Sequence, residues 1–95
     1  MSNHAENILK NLARLKWACR RGMLELDVLL GNFLEQVYPT LSPTKKQEFA
    51  ELLECADPEL FSWLIRNEKP IETRFIPIIE AIQSHARKQF SIKTL

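Results

Sequence analysis

The side chains best placed to do chemistry stand together in one short run, Trp17-Ala-Cys-Arg-Arg-Gly-Met-Leu-Glu-Leu-Asp27. Arg20 and Arg21 precede Gly22, one of only two glycines in the chain, and Glu25 and Asp27 follow it. The chemistry such a set offers is recognition. A guanidinium is a planar fork that fits a carboxylate or a carbonyl pair. Glu25 adds an acceptor, Trp17 and Met23 add apolar contact, and a missing side chain at Gly22 lets another backbone come close. Arginine and aromatic residues are also the types enriched at binding hot spots. A plainer reading fits the same residues. Gly22 can end one helix in a left-handed conformation, Glu25 can sit in the first turn of the next helix, where the dipole favours an anion, and Arg21 and Glu25, four apart, can pair across a turn. A surface pair of that kind contributes at most about 1 kcal/mol. The residues alone leave docking patch and capped junction both open.

Other chemistries find little to use. His4 and His85 lie near opposite ends, and no HxxxH, ExxH or CxxC spacing occurs, so no metal site is expected. Cys19 and Cys55 fall among helical apolar residues and read as small buried hydrophobes. Gly22 and Gly31, nine apart, do not make a phosphate loop. No catalytic residue, no tightly bound cofactor and no enzyme activity are expected.

The elements that must carry these residues read at helical period throughout. Ile8, Leu12, Leu15 and Cys19 mark one face of a first helix, and Met23, Leu26, Leu30, Phe33 and Val37 one face of a second. Pro39 and Pro43 break the chain. Ser42 as N-cap with Pro43 at the first helical position opens a third helix, with Phe49, Leu52 and Leu53 inward. Asp57 and Pro58 repeat the device for a fourth, which carries Leu60, Phe61, Leu64 and Ile65, and Asn67 closes it in a left-handed conformation. A fifth carries Phe75, Ile78, Ile79 and Ile82; Pro77 requires it either to begin near 73–76 or to kink. Trp63 reads as partly buried core, and Lys45, Lys46, Glu48 and Glu51 as a solvated face. The expected fold is all-α, a compact bundle of five short helices in one domain over residues 1–95, with frayed ends at 1–6 and 89–95.

Composition agrees. The chain has 95 residues, 45% hydrophobic and 26% charged, with a net charge of +1. It is long enough for a modest core without disulfides, and it lacks the basic excess of a nucleic-acid binder. No apolar run approaches the roughly 20 residues of a membrane span. The amphipathic start lacks the apolar block of a secretory signal, and two widely spaced cysteines suit a reducing compartment. A cytoplasmic, monomeric protein without membrane insertion is expected.

The run Trp17–Asp27 closely resembles the signature of the FAD assembly factor family, also called succinate dehydrogenase assembly factors, whose RGxxE motif is matched by Arg21, Gly22 and Glu25. A second block, Leu52–Leu64, resembles the family's segment between its third and fourth helices, at the expected separation. The resemblance implies a small five-helix protein that helps FAD attach covalently to a histidine of the flavoprotein subunit of succinate dehydrogenase, and of fumarate reductase in some bacteria. On this reading FAD belongs to the client. Arg21, Gly22 and Glu25 carry the interaction, with Arg20, Trp17, Met23 and Asp27 as neighbours. The chain departs from the family where relatives often have glycine before Lys-Pro and it has Asn67 and Glu68; Pro77 is a second departure. A different function class is a small regulatory, antitoxin-like interaction module working through the basic face of Lys10, Arg14 and Lys16.

Overall fold

The computed structural model describes the backbone of residues 3–94 and the side chains of residues 11–89. Five α-helices follow one another: α1 (Asn3–Ala18), α2 (Leu24–Gln36), α3 (Pro43–Leu52), α4 (Asp57–Leu64) and α5 (Ile76–Thr94). Two single 3₁₀ turns, Tyr38–Thr40 and Thr73–Phe75, lead into α3 and α5. Among the described residues there is no strand, as the periodicity requires. Of the ends expected to fray, the part within the described residues is helical from Asn3 and to Thr94; the rest lies outside them.

The core gathers the predicted stripes of α2 to α5; of the α1 stripe, Cys19 is buried, Leu15 packs on the rim of the core, Leu12 is only partly buried, and the side chain of Ile8 lies outside the described residues. Leu26, Leu30 and Phe33 from α2 meet Phe49 and Leu52 from α3, Leu60 from α4, and Ile78 and Ile82 from α5, all fully buried. Fully burying a side chain of this size contributes about 1.5–3 kcal/mol. Phe33 tilts against Phe49 with ring centroids 5.4 Å apart, and Trp63, half-buried as expected, stacks on Phe75 at 5.9 Å. The α2 stripe is shifted from its expected ends. Met23 caps the helix in an extended conformation and Val37 terminates it; both pack on the rim of the core, and Leu34 takes the inward position.

Helix starts follow local chemistry, with one exception. Ser42 Oγ accepts the Lys45 amide at 3.2 Å, and Pro43 opens α3. Pro77 sits in the first turn of α5, where its missing N–H would find no partner in any case. The helix therefore starts at Ile76 and Pro77 stays outside its interior. Asn67 has φ +62°, the left-handed turn expected after α4. The exception is Asp57, which is not the N-cap of α4. Ala56 holds that position, its N–H bonded by Glu59 Oε1 at 3.1 Å. The Asp57 carboxylate has gone to a partner 36 residues earlier in the chain.

Candidate docking site

Helix α1 ends at Ala18, and the next four residues turn the chain back toward α2. Gly22 makes the turn with φ +82°, in the region where a Cβ is costly. Cys19 is buried under the turn, its thiol pushed up to about 11, chiefly by desolvation. Asp27, in the first turn of α2, reaches back so that Oδ1 accepts the Arg21 amide at 2.6 Å.

Arg21 turns inward. Its Nε donates to Asp57 Oδ1 at 2.7 Å. Nη1 donates to the carbonyls of Ala18 and Leu53, both at 2.9 Å, and Nη2 to that of Cys55 at 2.7 Å. Only 15% of the side chain is exposed. The acceptors explain the position. Ala18 ends α1 and Leu53 caps the C-terminus of α3, where carbonyls lack intrahelical partners and the dipole favours a cation. Asp57 opens α4, where the dipole favours an anion. One guanidinium thus serves three helix ends. The expected pairing of Arg21 with Glu25 does not form. Pairing at i, i+4 requires both residues on one helix, and the turn at Gly22 puts Arg21 before α2 and Glu25 inside it.

The outward surface is different in kind. Gly22 is exposed, and a Cβ built on it would meet nothing within 4 Å. Arg20 and Glu25 are exposed. So is Trp17, at 73%. Leu24 (79%) and Val28 (49%) join it. Among the described residues, these three are all but one of the large exposed hydrophobics, the other being Ile71. A groove of about 1050 Å³ runs between α1 and α2 past Lys16, Arg20, Gly22, Asp27 and Gly31. A second, of about 490 Å³, lies between α2, the end of α4 and α5, along Leu24, Glu25, Val28, Ile65 and Ala86. Val28 stands on the edge of both.

The seven residues singled out in the sequence therefore divide. Trp17, Arg20, Gly22 and Glu25 face outward. Arg21, Met23 and Asp27 are half-buried and build the turn from beneath. Leu24 and Val28 lie outside that set. Their signal was present, because they stand about 200° around the helix from Leu26 and Leu30, on the face opposite the core. Asp57 had no comparable signal, since its helix-start context explained it locally. Elsewhere, Cys19 and Cys55 are both free. No group of three or more metal-ligating side chains occurs among the described residues.

Comparison with known proteins settles the lineage. The family model described as flavinator of succinate dehydrogenase, Sdh5, matches residues 13–86. The chain belongs to this family. A FAD assembly factor SdhE of Yersinia pestis is 46% identical over 76 residues, 80% of this chain and 86% of that protein. One from Shewanella oneidensis is 58% identical over 60 residues, 63% of this chain and 73% of that protein. The solution structure of a UPF0350 protein superposes with a TM-score of 0.73 at 34% identity, covering 90% of each chain. Membership in the flavinator family makes the chain an assembly factor and not a catalyst. The matched span begins within α1, at residue 13, and takes in the Gly22 turn, most of the lining of both grooves and the Asp57 contact.

Proposed function

We propose that this chain docks, through the face around Gly22, on the flavoprotein subunit of succinate dehydrogenase and holds it in the form in which FAD becomes covalently attached. The observation that carries the reading is the coincidence of an open, left-handed glycine with Trp17, Leu24 and Val28, apolar side chains left in solvent within one turn or two of it. Exposed apolar clusters on small proteins mark interaction sites. Glu25 and Arg20, exposed in the same stretch, supply orientation, as a polar rim does.

The mechanism needs no nucleophile on this chain. A helper that binds one client conformation more tightly than the others raises that conformation's population by the ratio of its affinities. The flavin and the accepting histidine belong to the client and make the bond. The role of this chain is to keep the two in register. The same reading extends to a fumarate reductase subunit of like architecture. Two free thiols suit a reducing compartment such as the cytoplasm, and a single domain with one docking face suits a monomer.

The test is covalent flavin fluorescence of the client in a denaturing gel, with the helper wild type, absent, or carrying Leu24→Glu. Leu24 lies 79% exposed, so its replacement leaves the fold intact while placing a charge in the apolar patch. Flavinylation with Leu24→Glu is expected to fall toward the level without helper. Equal flavinylation in all three samples overturns the proposal. A pull-down partner that is indifferent to Leu24→Glu but lost on reversing Arg14 and Lys16 would assign the function to the basic face of α1 instead.

A further inference from the structure

We infer that Asp57 is a positioning residue for docking, and that Arg21 serves the client from within by coupling Asp57 and the α3–α4 connection to the Gly22 turn. The inference rests on the docking reading above and assigns roles inside it. In the sequence Arg21 looks like the contact itself, a guanidinium beside a glycine. In the structure its Nε, Nη1 and Nη2 donate to four protein acceptors at 2.7–2.9 Å. Three are backbone carbonyls at or just beyond helix ends, which would be left without partners if the side chain swung out to meet a client.

Asp57 shows the same priority from the other side. An aspartate at the start of α4 is well suited to cap that helix. Here the cap position belongs to Ala56, Glu59 bonds the free amide, and the Asp57 carboxylate is turned to Arg21. Local helix chemistry has yielded to a contact between elements.

The result is a turn gripped by two carboxylates. Asp27 holds the Arg21 backbone amide and Asp57 holds its side chain. The residue between them and α2 is Gly22, whose left-handed φ sets the path into Met23 and Leu24. The α3–α4 connection thereby fixes where Gly22, Leu24 and Glu25 stand relative to Trp17. Loosening Asp57 should leave the five helices in place and blur the docking face.

Asp57→Asn separates this from direct contact. If Arg21 touched the client, freeing it from Asp57 would leave affinity unchanged or raise it. If Arg21 positions the turn, affinity falls. The experiment measures calorimetric affinity of the full chain for the unflavinylated client subunit, at a temperature where circular dichroism shows each variant fully folded. The variants are Asp57→Asn, Arg21→Lys, the double variant and Leu24→Glu. Asp57→Asn is expected to weaken binding about ten-fold, to shift the Gly22 and Met23 amide resonances in the free helper, and to be non-additive with Arg21→Lys, because both break one contact. Unchanged affinity for Asp57→Asn, with Leu24→Glu still impaired, overturns the positioning role and leaves the docking face standing. Weakening that merely tracks the unfolded fraction, or losses that add in the double variant, overturns it too. Wild-type affinity for Leu24→Glu and Asp57→Asn together means that the docking reading itself has failed.

Discussion

Arg21 Nε and Asp57 Oδ1 lie 2.7 Å apart although 36 residues separate them in the chain. That contact ties the turn between α1 and α2 to the start of α4, and the Ala18, Leu53 and Cys55 carbonyls complete the enclosure of the guanidinium. A motif residue that offers a free cation in the sequence is therefore a structural brace in the folded chain.

Truncating the brace should cost stability. Arg21→Ala is expected to destabilise the domain by about 2–4 kcal/mol, less than a fully enclosed pair because Asp57 keeps 42% of its side chain in solvent. Urea denaturation followed by circular dichroism measures it. A loss under about 0.5 kcal/mol, the ordinary effect of a surface substitution, contradicts the geometry.

Gly22 should be sensitive through its backbone and not through crowding. A Cβ there meets open space, yet φ is +82°. Gly22→Ala should therefore cost about 1–2 kcal/mol, the penalty of a left-handed L-residue, and Gly22→Asn less, since asparagine tolerates that region. Thermal melts of the two variants should rank them in that order. The same strain means that Gly22→Arg lowers stability as well as filling the notch, so it is read beside Leu24→Glu and never alone.

Trp17 and Leu24 should behave as surface residues for folding and as anchors for docking. At 73% and 79% exposure, Trp17→Ala and Leu24→Glu are expected to change folding stability by no more than about 0.5 kcal/mol. The same changes should reduce client affinity by at least about ten-fold, or roughly 1.4 kcal/mol. Loss of folding in parallel with loss of binding would contradict an outward role.

Cys19 should be the slow thiol. Desolvation raises its pKa from 9.0 to about 11, opposed by the nearby Arg21 charge. The folded chain therefore favours the protonated form. The stability this contributes is complete below pH 9 and lost as pH rises from 9 through 11. Alkylation at pH 8 should modify the partly exposed Cys55 well before Cys19. Equal rates in the folded protein would contradict the burial.

The fold and the place of the site are legible in the sequence for local reasons. A stripe such as Leu26, Leu30 and Phe33 can only be buried along one helix face. Ser42-Pro43 states where a helix begins, and Asn67 where one ends. Each of these is decided by residues within a turn or two of one another, so no knowledge of the rest of the chain is needed. The run from Trp17 to Asp27 likewise identifies its own junction, because a glycine between two stripes is a turn wherever the helices go.

What each residue of that run does is a different matter, and tertiary structure decided it. Arg21 turns inward because folding brings the ends of α1 and α3 and the start of α4 to one point, where two sets of orphan carbonyls and a carboxylate compete successfully with water for one guanidinium. Direction of this kind depends on which elements meet in space, and spacing along a chain does not contain it.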